Sequence, residues 1–154
     1  MNWHDNPIST YDVLPLTEVM IYPAPPAVPD GTHTGLAEAY GVSKAWDEAC
    51  TLGHITRLGR LSAYERIADL MLEVYERLTA AGLTHGHSFH MPLTQDTLAD
   101  ALGLTSVHVS RTMQSLRQDG VLSMDSRTVT LNDPARLAQP LNRRHTTVQN
   151  RWAG

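Results

Sequence analysis

Within residues 93 to 118, two short apolar patterns at helical spacing are separated by a single glycine, Gly103, and no other stretch limits the fold so sharply. Thr94 is placed to cap the first pattern, because its hydroxyl can accept from the unpaired N–H groups of a first helical turn; Asp96 there complements the helix dipole. Leu98, Ala99 and Leu102 then share one face. Gly103 follows directly, where a helix end takes the left-handed conformation that glycine tolerates best. Leu104 bridges the turn as an apolar plug.

Thr105 or Ser106 caps a second helix, with Val109, Met113 and Leu116 at helical spacing on its inner side. Ser106, Val107, His108, Ser110, Arg111, Gln114 and Arg117 are left facing outward. Short polar groups with a forked Arg on the exposed first half of a helix suit insertion into a DNA major groove. A helical hairpin with a merely solvated face would show the same alternation, so the segment that follows matters.

That segment runs from Asp119 to Leu131. Gly120 can close the second helix, 121–124 and 128–131 are β-prone, and Asp125, Ser126 and Arg127 supply turn chemistry between them. The expectation is a helix-turn-helix with a β-hairpin wing: a mainly α fold with a small β-wing, preceded by a long helix and a short β-like N-terminal segment.

Several matches in order now make a resemblance specific. Gly59, Arg60, Tyr64 to Ala68, Met91 to Gln95, Leu98 to Leu104, Val107 to Thr112, and Leu116 and Arg117 leading to Gly120 together resemble the C-terminal half of Crp/Fnr-family bacterial transcription regulators, across about residues 36 to 139. The resemblance implies a dimeric regulator that reads double-stranded DNA, with RNA polymerase as a further candidate partner.

Charge placement agrees. The formal net charge is −4, which alone would disfavour a nucleic-acid binder, but residues 1–93 carry five Lys/Arg against eleven Asp/Glu while 94–154 carry seven Arg against five Asp. The phosphate-facing surplus lies in the C-terminal part. Eleven of the twelve basic residues are Arg, the side chain suited to bidentate contact with guanine or phosphate. No apolar run approaches the roughly 18 residues of a membrane span, and no basic-then-apolar leader opens the chain, so a cytoplasmic protein without membrane contact is expected. The single cysteine, Cys50, excludes a disulfide framework within the chain and is expected to be a small apolar residue.

Four regions are expected. Residues 1–34 hold two β-like runs, 8–14 and 18–22, then a proline-dense connector; two strands alone make no domain. In the resembling family this position is the end of a β-roll sensor, the rest of which has no counterpart here, so cyclic-nucleotide control does not carry over. Residues 35–60 form a helix with Leu36, Tyr40, Val42, Trp46, Ala49, Leu52 and Ile55 as apolar positions, and with Gly41, Ala45, Ala49 and Gly53 as a row of small residues that allows close helix approach. The family dimerises through this helix.

Residues 61–139 form the winged domain. Ser62 and Glu65 make a capping box for a helix from 63 to about 81, striped by Ile67, Leu70, Met71, Val74 and Leu78 and ended by Gly82. A hinge is expected near Gly59. His85, His87 and His90 could ligate a metal, but no Cys or carboxylate adjoins them and Gly86 loosens the loop, so no metal or other cofactor is expected. That loop should lead into a short strand over 89–92. Asp133 and Pro134 open a short helix that Pro140 stops, and 140–154 is expected to be a flexible tail.

The DNA-contacting residues are expected to be Thr94, Gln95, Thr105, Ser106, Val107, His108, Ser110, Arg111, Gln114, Arg117 and Arg127, with Arg111 reading a guanine and Thr94, Gln95 and Arg127 on the flanking backbone. Many relatives place Glu where Val107 stands, so the base read there is open; Val107 could pack on a thymine methyl. The alternative reading is an interaction module that pairs through 35–60 with a full-length relative and modulates it. No acid–base pair, activated nucleophile or phosphate-cradling loop suggests an enzyme.

Overall fold

The structure, a computed structural model, describes residues 15–20, 22 and 34–141. Two helices lead the described chain, α1 (Thr34–Arg60) and α2 (Ala63–Ala80). A compact α/β unit follows: β1 (Thr84–His85), β2 (Ser88–His90), α3 (Gln95–Leu102), α4 (Ser106–Gln118), β3 (Leu122–Asp125), β4 (Thr128–Leu131) and α5 (Pro134–Ala138), with a 3-10 turn at Gln139–Leu141.

Local chemistry sets most of these boundaries. The Ser62 side chain accepts from the Glu65 backbone N–H and the Glu65 carboxylate takes the Ser62 N–H at 2.8 Å, a complete capping box. These same hydrogen bonds hold the Glu65 carboxyl below its ordinary range, because they favour the charged form. At the other end of α2, Leu83 N–H reaches the Leu78 carbonyl at 2.8 Å and Gly82 N–H reaches Thr79 at 3.0 Å, the paired bonds of a helix stop.

The core is built where three helices meet one face of a sheet. Ile67, Ala68, Met71 and Leu72 of α2, Leu98 and Leu102 of α3, and Val109, Met113 and Leu116 of α4 are buried with Phe89, Leu122, Val129 and Leu131 from the strands and Leu137 of α5. Ala68 and Leu72 were not part of the expected α2 stripe. They are covered because α2 packs against both α4 and α5, so more of its circumference is enclosed.

The expected two-stranded wing is present as β3 and β4, and the sheet extends beyond it. It has four antiparallel strands in the order β1-β2-β4-β3, with Phe89 opposite Val129 and Met124 opposite Val129 on its other side. The strand expected over 89–92 instead spans Ser88–His90, because a tight turn through Gly86 pairs His85 with Ser88 and starts the strand early. Its hydroxyl-bearing Ser88 meets Thr130 at 2.7 Å, 42 residues away.

One further expectation needs correction. Residues 18–20 and 22, expected as strand, are exposed and adopt no strand, there being no sheet edge beside them among the described residues to supply their hydrogen bonds. The expected strand at 8–14 and the tail from 142 lie outside the described residues. Helix α1 continues through Gly59 to Arg60, and Leu61 and Ser62 form the elbow just beyond.

Along α1 the side facing α2 is held by charge. Arg57, only 2% exposed, donates through Nε to Asp69 at 2.7 Å and through Nη2 to Glu73, while Nη1 meets His54 Nδ1 at 3.1 Å. The opposite side carries Leu52 and Ile55, 58% and 62% exposed. No described helix is long and apolar enough to cross a membrane.

Candidate nucleic-acid interface

Thr94 caps α3 as its sequence position requires: its hydroxyl accepts from Thr97 N–H at 3.1 Å. Gly103 then takes φ 60°, ψ 42°, with Leu104 N–H returning to the Ala99 carbonyl at 2.9 Å. A side chain in that backbone conformation is strained, so the glycine is required by the turn. Thr105, not Ser106, caps α4, accepting from His108 N–H at 3.2 Å.

Those caps aim α4 with its apolar side, Val109, Met113 and Leu116, inward and the rest outward. Helical periodicity puts Val107, Ser110, Arg111 and Gln114 along one exposed stripe, with His108 and Arg117 on its two edges. Val107 is 59% exposed, an unusual place for a β-branched apolar side chain unless something covers it. Among the described residues the Arg111 guanidinium has no recorded ion pair or hydrogen bond, so its fork is available to a ligand.

Thr94 and Gln95, both exposed, open α3. Arg127, exposed, sits in the two-residue turn between β3 and β4, where Ser126 has φ 53° and the Arg127 carbonyl accepts from Met91 N–H at 2.7 Å, which brings the wing turn against the segment leading into α3.

Ser106 is engaged within the chain. It is half-buried, and its hydroxyl donates to the Asp96 carboxylate at 2.5 Å. Asp96 was legible only as a dipole-complementing acid; its reach to α4 spans ten residues and carries no local sequence signal.

Two more functional tethers escaped the sequence. Tyr64 at the start of α2 donates to Asp119, the cap of α4, at 2.8 Å across 55 residues. Arg66 donates to the carbonyls of both Leu61 and Leu102. The histidine cluster gathers no site: His85, His87 and His90 are exposed, the His87 ring stands edge-on to Tyr75 at 5.9 Å, and among the described residues no group of three or more His, Cys, Asp or Glu could hold a metal. Cys50 is half-buried between α1 and α2, and burial, with Glu73 close by, pushes its thiol above the ordinary range.

Helix, turn, helix and a strand hairpin around one core make this unit a winged helix-turn-helix domain. In comparison with known proteins, residues 65–139 match the Crp-like helix-turn-helix domain. The chain is 40% identical over 86 residues to the transcriptional activator protein FnrL of Cereibacter sphaeroides, a match covering 53% of this chain and 35% of that protein. It is 34% identical over 85 residues to the nitrogen fixation regulation protein FixK of Azorhizobium caulinodans, covering 54% of this chain and 34% of that protein. The structure of FixK2 from Bradyrhizobium japonicum superposes with a TM-score of 0.58 at 28% identity, covering 68% of this chain and 51% of that one. Residues 65–139 are therefore a Crp-like helix-turn-helix domain, similar to the corresponding part of these transcription regulators. The match spans about a third of the length of these curated relatives.

Proposed function

We propose that the chain is a cytoplasmic, sequence-specific DNA-binding transcription regulator that acts as a homodimer on an inverted-repeat operator, with α4 in the major groove. The observation that carries this reading is the exposed stripe of α4, polar and forked where a groove would lie, on a helix whose other side is locked in the core. Arg111 takes O6 and N7 of a guanine, and Val107 packs on a neighbouring thymine methyl. His108, Ser110, Gln114 and Arg117 supply nearby base or phosphate contacts, while Thr94, Gln95, Thr105 and Arg127 hold the flanking backbone.

Ser106 is assigned a smaller part than the others, since its hydroxyl hydrogen is engaged by Asp96. Dimerisation is assigned to α1, whose exposed side brings Gly41, Ala45, Leu52 and Ile55 onto one stripe with nothing over it among the described residues. Two domains across such an axis face half-sites about 34–36 Å apart, one turn of DNA. RNA polymerase is a further partner of this reading.

Selection of bound sequences from a random duplex pool, at a stated salt concentration, tests it. An enriched inverted repeat supports the homodimeric operator reader. No enrichment from folded protein overturns it, and heterodimers recovered without a stable homodimer would point to a module that pairs through α1 with a longer relative.

A further inference from the structure

Arg66 lies on the second turn of α2, half-buried where three helix ends meet. Its Nε donates to the Leu61 carbonyl at 2.8 Å, immediately after α1, and its Nη1 donates to the Leu102 carbonyl at 3.0 Å, the last residue of α3. Carbonyls at helix C-termini lack partners within their own helix and carry the negative end of its dipole, so a cation is favoured at both. The guanidinium is planar and its donors keep fixed relative directions. One rigid fork therefore spans the α1–α2 elbow and the α3–α4 turn.

The surrounding contacts leave little slack. A Cβ built on Gly103 would lie 3.8 Å from Arg66 Nη1 and 3.9 Å from Leu58 Cδ2, so the end of α1 and the fork both border the turn. Upstream, Arg57 pins α1 to Asp69 and Glu73 of α2 and is the one buried residue of α1 among those described. A change in the tilt of α1 about that pin must move Leu61. By backbone alone the displacement would be absorbed at the Ser62 cap.

We infer that Arg66 is a positioning residue that ties the orientation of α1 to the α3–α4 turn, and so to the aim of α4. The inference rests on the proposed DNA reading for its consequence, namely that whatever engages the exposed side of α1 alters how α4 meets DNA. The coupling itself is a property of the free protein.

Amide hydrogen exchange of the full chain tests it without DNA. The probes are the N–H groups of Gly103 and Leu104, bonded to the Asp100 and Ala99 carbonyls, and the perturbation is Ser62→Ala, which loosens the elbow from its exposed cap. With Arg66 present, S62A should speed exchange at both amides about five- to tenfold; in a Arg66→Lys background, which keeps the charge but replaces the two-armed fork with one nitrogen, the same change should give less than about twofold. Arg66→Gln should behave like the lysine variant. Equal acceleration in wild-type and Arg66→Lys backgrounds overturns the inference, and so does no acceleration with Arg66 present. A chain that selects no duplex would overturn the DNA reading while these exchange rates still decide the coupling.

Discussion

Ser106, the first residue of α4, donates its hydroxyl hydrogen to the Asp96 carboxylate of α3 across 2.5 Å. Both residues stand in the opening turns of their helices, so the bond ties together the ends that would face a duplex. It leaves Ser106 without a donor for a base, and it leaves a negative charge beside the expected path of a phosphate.

Ser106→Ala should accordingly change affinity for the selected operator by less than about threefold, because the lost hydroxyl was not donating to DNA. Asp96→Asn should tighten binding to operator and scrambled duplex alike, by roughly two- to fivefold at low salt and less as salt rises, since it removes a repulsion that ions screen. Anisotropy titrations at two salt concentrations separate the two effects. A large operator-specific loss in Ser106→Ala would return that hydroxyl to the base-reading set.

Arg111 is the opposite case, exposed and without a recorded partner among the described residues. Replacing it with Ala should cost roughly 1–3 kcal/mol of operator binding and relax preference at one base pair per half-site, while affinity for scrambled DNA changes little. Competition titrations with single-pair operator variants measure this. Unchanged binding to both duplexes would remove Arg111 from the interface.

The contrast between those two residues shows what the sequence made legible. Caps and stops act within a few residues, so Thr94, Gly103, Thr105, Gly120 and the Asp133–Pro134 opening of α5 were all visible from local pattern and stand as helix boundaries in the structure. The inward stripe of α4 was equally plain, since period alone selects Val109, Met113 and Leu116. What stayed hidden is non-local. Ser88 pairing with Thr130, Tyr64 with Asp119 and Arg66 with Leu102 join positions whose separation no periodicity encodes. The four-stranded sheet was missed for that reason: β2 is short and gains its hydrogen bonds from β4, far along the chain.

Arg57 gives a second test of non-local structure. Its guanidinium faces Asp69 and Glu73, which are 13% and 15% exposed, so removing it takes the closest cation from two mostly buried carboxylates, Glu73 keeping Arg77 at 3.8 Å. Arg57→Met should cost about 3–5 kcal/mol by urea denaturation, and the triple variant Arg57→Met, Asp69→Leu, Glu73→Leu should recover most of that loss, because no buried charge is then left uncompensated. A triple variant as unstable as the single one would show that the ion pairs stabilise in their own right.

Tyr64 sets an alkaline limit. Burial first, then its hydrogen bond to Asp119, pushes its phenol up to about 12 from 10.0. A group whose folded pKa is raised contributes stability that is complete below its unfolded pKa and lost as pH rises through the folded one. The contribution should therefore hold up to about pH 10 and fade toward about pH 12. Tyr64→Phe should cost about 0.5 kcal/mol at neutral pH, the low end for a hydrogen bond whose acceptor is open to solvent, and should flatten the stability profile over that alkaline window. An equally steep fall in the variant would assign the alkaline loss to other groups.

The exposed side of α1 offers the last and most direct test of assembly. Leu52 and Ile55 are more than half exposed on a helix that presents Gly41 and Ala45 along the same stripe, where small residues allow a second helix to come close. Burying a Leu or Ile side chain gives about 1.5–3 kcal/mol, and a two-fold axis counts each position twice, so Ile55→Glu should weaken a dimer by at least about a hundredfold. Because that side chain faces solvent in the single chain, Ile55→Glu should leave its melting as a monomer little changed. Sedimentation over a concentration series measures the shift, and the same variant should bind an isolated half-site as well as wild type does while losing its advantage on the full inverted repeat. An Ile55→Glu protein that sediments as wild type would place the dimer contact elsewhere.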